Sequence, residues 1–357
     1  MPKHRVRLTR PSGTRRGVAE AMRITIIGAG AMGCLFGALL DGVAEVRLLD
    51  RSPAVVAAIA RRGVRLVEAR REAAGQPATS SRPSQSLPTA NRRAGRGERV
   101  VRVPVATDPG EAAHADLALI LVKAAGTAWA GAMARRVLAP GGLALTLQNG
   151  LGQRETLVSI LGAEQVWQGV TAQGATLLGP GRVRHAGCGP TYLETRPAIA
   201  ERAGAGAEVL RQAGLEVFLV PDLESMIWSK LLVNVGVNAL SGLLRVSNGV
   251  LAETPAVRQL MSRALAEAVQ VARAKGVALP DADPEARLVE VCRATADNRS
   301  SLLQDVLRGR PTEIDAINGA IVREARGLAL PAPTNELLVD LVKALEATAA
   351  DRIPCDP

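Results

Sequence analysis

Residues 23–33 read RITIIGAGAMG. A short β-branched run is followed at once by Gly28-x-Gly30-x-x-Gly33, and then by the apolar stretch CLFGALL at 34–40. That succession predicts a buried strand, a tight turn and a helix that opens at the glycines. Each glycine has its own task in such a turn. Gly28 allows the sharp reversal, Gly30 lets the backbone approach a pyrophosphate, and Gly33 lets helix and strand pack closely. Phosphates would meet the helix N-terminus, so Gly28, Ala29, Gly30, Ala31, Met32 and Gly33 form a candidate dinucleotide-binding loop. A second strand, EVRLLD, ends at Asp50-Arg51. Asp50 stands 20 residues beyond Gly30, where a carboxylate binds the ribose 2′-hydroxyl of NAD(H). Arg51 would instead accept the 2′-phosphate of NADP(H), and the pair leaves both cofactors open.

Further strands are expected at VVRVPVAT (100–107), DLALILVK (116–123) and LALTLQNG (143–150). Their alternation with helical segments predicts an α/β fold with a doubly wound parallel sheet, which binds ligands at the carboxyl ends of its strands. Lys123 and Asn149 stand at such ends. Of 44 basic residues 39 are arginine, so a lysine at such a position draws notice as a cofactor or substrate contact. Residues 165–194 alternate apolar and polar around Gly179-Pro180-Gly181, which predicts a hairpin closing the sheet with antiparallel strands. His185 lies inside it with no acidic neighbour in sequence and reads as structural.

From about residue 200 the periodicity becomes helical. In WSKLLVNVGVNALSGLL (228–244) an apolar helix is interrupted by Lys230, Asn234 and Asn238 at i, i+4 and i+8. Those positions drift by only about 40° per step, so they form one polar stripe on a buried helix. A buried stripe must be satisfied, and burial lowers a lysine toward the range useful for proton transfer. The stripe predicts a cleft-facing proton donor, Lys230, and two amides that bind substrate, with Asn248 one turn past the helix as a third. Farther on, residues 296–319 predict a helix carrying Ser300, Ser301, Gln304 and Asp305, a break at 308–311, and a second helix capped by Thr312. Glu313 would then lie in that helix's first turn. The segments AKGVALP (274–280) and ARGLALP (325–331) read as matching helix ends with glycine at C′.

The chain has 357 residues, 47% hydrophobic and 22% charged, which suits two globular domains. These are expected at 22–221, a Rossmann-type dinucleotide-binding domain, and 222–350, an all-helical substrate domain. The net charge of +10 resides in residues 1–21 and 70–99, each contributing +5. Both segments read as disordered, a basic extension and an insertion, so the charge does not point to nucleic acid or a membrane surface. No apolar run approaches the ~18 residues of a membrane span, and none is expected. Four cysteines form no CxxC pair, no metal site is expected, and a reducing cytoplasm is the natural location. Apolar faces on the helical half are compatible with a homodimer.

From Met22 to about residue 345 the chain resembles the ketopantoate reductases, or 2-dehydropantoate 2-reductases. The resemblance rests on GAGAMG at 28–33, LVKA at 121–124, QNGLG at 148–152 and GATLLGPGRVRHAG at 174–187. It continues through WSKLLVNVGVNAL at 228–240 and SSLLQDVLRGRPTEIDAING at 300–319. It implies reduction of 2-dehydropantoate to (R)-pantoate by NADPH, a step toward pantothenate and coenzyme A. Carried over by position, it makes Lys230 the proton donor. Lys123, Asn149, Ala175 and Glu313 then surround the cofactor, with Arg51 at the 2′-phosphate. Asn149, Asn234, Asn238, Asn248 and Ser301 contact the keto acid. A related NAD(P)-dependent dehydrogenase of another 2-oxo or 3-hydroxy acid shares the Lys-x-x-x-Asn helix and is the alternative.

Overall fold

A computed structural model of the chain describes residues 21–68 and 98–351. The expected basic extension, apart from Ala21, and most of the expected insertion lie outside the described residues. The strands are β1 (Arg23–Ile27), β2 (Glu45–Leu49), β3 (Val64–Val67), β4 (Glu98–Val101), β5 (Val105–Ala106) and β6 (Ala115–Ile120). They continue with β7 (Leu138–Thr146), β8 (Val166–Thr171), β9 (Gly174–Gly179), β10 (Arg182–Gly187), β11 (Thr191–Glu194) and β12 (Val217–Val220). The helices interleaved with them are α1 (Ala31–Leu40), α2 (Pro53–Arg62), α3 (Thr127–Val137), α4 (Gln153–Leu161) and α5 (Ala200–Gln212). Seven more follow: α6 (Glu224–Leu244), α7 (Asn248–Glu253), α8 (Pro255–Ala274), α9 (Pro284–Ala294), α10 (Ser301–Val306), α11 (Asn318–Gly327) and α12 (Pro333–Ala347).

The main sheet has the order β12-β11-β8-β7-β6-β1-β2-β5. From β5 to β8 every neighbouring pair is parallel. Ile24, Ile26, Ile27, Leu117, Leu119 and Ile120 on its two central strands are buried, as a sheet covered by helices on both faces requires. Chain order reverses at β1, so a crevice opens between the carboxyl ends of β1 and β6. Gly28 follows the first of these ends and Lys123 the second.

The hairpin forms around Gly179-Pro180-Gly181 as the sequence predicts, but it does not close the main sheet. β9 and β10 pair antiparallel, but they join β3 and β4 in a separate sheet of order β4-β3-β10-β9 that packs on α1. The antiparallel strand that extends the main sheet is β11, beside β8. The expected strand 100–107 is likewise divided. β4 belongs to the small sheet and β5 to the large one, with Pro104 between them offering only its carbonyl, to the Leu48 amide. Glu98 and Arg99, expected in the insertion, are the first residues of β4. Glu98 receives Arg65 at 2.5 Å and Arg182 at 2.6 Å, which ties three strands together and holds its carboxyl below the usual range.

After β12 the described chain is helical, apart from turns and connections. α6 is its central element and packs against α8, α9, α10 and α12. Trp228, Leu231, Leu232, Val235, Ala239 and Leu240 bury its apolar faces. Contrary to the sequence expectation, α6 is long and apolar enough to cross a membrane by length and composition. Its burial among the other helices marks it as a core helix.

Candidate active site

Lys230 projects from α6 toward the end of β8 and donates from Nζ to the Thr171 carbonyl at 2.7 Å. Part of the side chain reaches solvent, yet the ammonium lies deep enough that burial pushes its pKa from 10.5 down to about 8. The Glu313 carboxylate opposes that shift. A narrow cleft opens here, lined by Gln148, Asn149, Gln168, Ile227, Lys230 and Asn234 among others. Among the described residues the side-chain amide of Asn234 makes no hydrogen bond, so it faces the cleft uncommitted.

Asn149 is held from both sides. Gln148 anchors the loop before it, donating from Nε2 to the Val122 carbonyl at 3.0 Å and to Thr127 Oγ1 at 2.9 Å. Gln153 donates to the Asn149 carbonyl at 2.9 Å. The amide of Asn149 then donates to Glu313 Oε2 at 3.4 Å, and Glu313 Oε1 accepts the Ala124 backbone amide at 3.1 Å. Burial pushes the Glu313 carboxyl up, against these donors.

Glu313 does not lie in the first turn of a helix. It precedes a three-residue 3₁₀ turn, Ile314–Ala316, and α11 begins only at Asn318. Its carboxylate is satisfied across the chain by the β6 and β7 loops instead of by a helix dipole. Thr312 caps only that turn, accepting the Ile314 amide at 3.3 Å. Gly150 meets the same turn so closely that an added Cβ would stand 2.1 Å from the Ala316 carbonyl oxygen.

Lys123 is committed to the helical half. Its Nζ lies 2.6 Å from Asp305 Oδ1 on α10 and 2.7 Å from the Pro311 carbonyl. Burial raises the Asp305 carboxyl, with Lys123 opposing.

The glycine loop has the form that the sequence predicts. Gly28 has φ of 104°, and a Cβ on Gly33 would stand 1.8 Å from the Gly28 carbonyl oxygen. Gly30 is different: a Cβ there meets nothing within 4 Å, and no side chain caps α1. An uncapped helix N-terminus with open space before it fits the pyrophosphate of a nicotinamide dinucleotide. Asp50 borders the loop, accepting Ala29 N at 2.8 Å and Ser52 N at 2.9 Å, and Arg51 is exposed. Ala175 lies on β9, partly buried against the core that includes α1, and pairs with His185. His185 contacts Gln173 Oε1 at 2.8 Å, and burial lowers its pKa.

The polar stripe divides. Lys230 and Asn234 line the cleft, whereas Asn238 is 4% exposed and lies outside its lining. Asn248 is turned to α9, donating from Nδ2 to Thr295 Oγ1 at 2.9 Å, and its buried Oδ1 has no hydrogen-bond partner among the described residues. Ser301 is exposed at the start of α10, and its neighbour Ser300 is buried, caps that helix and bonds Ser241 Oγ at 2.8 Å. Neither Asn248 nor Ser301 belongs to the cleft lining. Sequence reasoning missed two partners. The Thr171 carbonyl carries no side-chain signal, and Asp305 was visible on its helix without any sign of what it faces.

A doubly wound sheet with an uncapped glycine loop, joined to a helical half that supplies a buried lysine, defines an oxidoreductase of the nicotinamide-dinucleotide class. The model of the family described as Ketopantoate reductase PanE/ApbA matches residues 24–198, and that of its C-terminal part matches 222–346. The chain belongs to the ketopantoate reductase family. It is 35% identical to a 2-dehydropantoate 2-reductase of Halobacterium salinarum over 90% of this chain and 98% of that one. A 2-dehydropantoate 2-reductase of Archaeoglobus fulgidus is 33% identical over 92% and 99%. Among solved structures, a PanE/ApbA family ketopantoate reductase from Ralstonia eutropha superposes with a TM-score of 0.78 at 32% identity, covering 92% of this chain and all of that one. A D-mandelate dehydrogenase in a ternary structure with NADH and anilino(oxo)acetate gives the same TM-score at 25% identity and the same coverage.

Proposed function

We propose that the chain reduces 2-dehydropantoate to (R)-pantoate with a reduced nicotinamide dinucleotide, a step toward pantothenate and coenzyme A. The observation that carries this reading is the Lys230 ammonium, enclosed beside Asn149 and Asn234 in one cleft. When bound, the dinucleotide supplies a hydride to the 2-oxo carbon. Lys230 stabilises the negative charge that develops on the carbonyl oxygen and delivers a proton to it from Nζ. Its bond to Thr171 fixes the ammonium while leaving two N–H groups for substrate. Asn234, a neutral donor and acceptor, suits the carboxylate or hydroxyl of a small keto acid. Asn238, Asn248 and Ser301 lie outside the cleft lining, and Asn149, Lys123, Ala175 and Glu313 border the cofactor side. The three described cysteines are free thiols, which supports a reducing cytoplasm.

The likeness to a D-mandelate dehydrogenase favours a second reading, in which another 2-oxo acid is the substrate. A panel of 2-oxo acids assayed by oxidation of the reduced nucleotide separates the two. The first reading requires the highest kcat/KM for 2-dehydropantoate, and a higher value for an aryl 2-oxo acid would replace it with the second.

A further inference from the structure

The family resemblance points to NADPH, with Arg51 at the 2′-phosphate. The geometry around the end of β2 points elsewhere, and we propose that this chain selects NADH, with the fixed carboxylate of Asp50 as the specificity-determining group. The inference rests on the dinucleotide reading of the glycine loop given above.

Asp50 is not a side chain free to turn away. Oδ2 accepts the Ala29 amide at 2.8 Å, inside the glycine loop, and Oδ1 accepts the Ser52 amide at 2.9 Å, at the N-cap of α2. The carboxylate therefore bridges the β1–α1 turn and the β2–α2 turn, the two loops between which an adenosine ribose lies in this type of sheet. Swinging it out of that position would leave two backbone donors of the binding loops unpaired. No Lys or Arg among the described residues forms an ion pair with Asp50. Burial, and to a lesser degree the nearby charge of Asp50, push the Cys34 thiol up to about 12.

Each oxygen retains acceptor capacity for a ribose hydroxyl. A 2′-phosphate at the same place would bring a dianion against an immobile carboxylate, and like charges brought together at a binding surface are strongly disfavoured. Arg51 is exposed and makes no hydrogen bond or ion pair among the described residues. One solvated guanidinium offsets such a repulsion only in part.

Dissociation constants for NADH and NADPH, measured by fluorescence titration of the full chain without keto acid, test this directly. NADH is expected to bind at least about tenfold more tightly than NADPH in the native protein. Asp50→Asn keeps an oxygen for Ala29 N while removing the charge, and is expected to shift the ratio toward NADPH by about tenfold. Arg51→Ala serves as a comparison and is expected to change the ratio less. Equal or tighter binding of NADPH by the native chain would overturn the proposal, as would an unchanged ratio in Asp50→Asn. Binding of neither nucleotide, by protein whose circular dichroism shows it folded, would overturn the dinucleotide reading along with it.

Discussion

Lys230 Nζ lies 2.7 Å from the carbonyl oxygen of Thr171, so the central helix of one half is bonded to the last residue of a sheet strand in the other. A flexible lysine stem thereby becomes a positioned donor at the floor of the cleft. Removing it should strike chemistry and spare nucleotide binding. Lys230→Ala is expected to lower kcat at least about 10²-fold, the scale of a positioned proton donor. Its nucleotide dissociation constant should stay within about twofold, because the glycine loop lies on other elements. Steady-state kinetics beside nucleotide titration read both, and near-native kcat would remove Lys230 from the mechanism.

The same lysine sets a pH dependence. It donates only when protonated, and its pKa is about 8. Reduction should hold steady below that value and fall as pH rises through it, while pantoate oxidation should rise. Glu313 raises Lys230, so Glu313→Gln should move the falling limb to lower pH. For stability the sign is opposite to that of a paired lysine. The folded pKa lies below 10.5, so this group's contribution increases as pH climbs from about 8 to 10.5. A kcat profile without a limb near 8 would contradict the assignment.

Asn234 stands one helical turn from Lys230 with its amide uncommitted among the described residues. Asn234→Ala should mainly raise KM for the keto acid, by about tenfold, the scale of one or two hydrogen bonds to a charged group. The nucleotide KM should change little. An unaltered keto-acid KM would place the substrate elsewhere.

The Lys123–Asp305 pair joins the two halves at 2.6 Å, with Asp305 only 13% exposed and Lys123 42%. Exposure of the lysine limits its direct contribution to about 1 kcal/mol or less. Losing either partner should still loosen closure over the cleft. Lys123→Met and Asp305→Asn are each expected to raise KM for both substrates, and the double variant should be less impaired than the two effects added. Strict additivity in that cycle would show that the contact does not couple the halves.

Two glycines make a contrast. Gly30→Ala fits the free protein, since nothing lies within 4 Å of the added Cβ, but it fills the space before the α1 N-terminus. Its melting temperature should match the native one while nucleotide affinity drops tenfold or more. Gly33→Ala collides with the Gly28 carbonyl at 1.8 Å and should lower thermal stability as well. Calorimetry with and without nucleotide distinguishes them.

The glycine turn, the parallel sheet and the buried stripe on α6 were legible because each has a short-range signature: spacing, periodicity, or a charge in an apolar run. What was not legible depended on long-range pairing. Nothing in the alternation of residues 174–187 says which sheet the hairpin joins, and that is decided by its pairing with β3, across a gap in sequence. The helix ends misled for a local reason. Gly276 takes the left-handed conformation after α8, but after α11 Ala329 takes it, and Gly327 stays helical. Asn238 shows the limit of stripe arguments, because three side chains in line need not reach one cavity when other helices close over the end of the row.

The most direct test of the account is oxidation of reduced nicotinamide by the purified full chain, followed by absorbance, with and without 2-dehydropantoate. Oxidation that requires the keto acid, and that is lost in Lys230→Ala, is the predicted result. No oxidation of NADH or NADPH with 2-dehydropantoate, by folded protein shown to bind nucleotide, would contradict the central claim and assign the cleft to a different substrate.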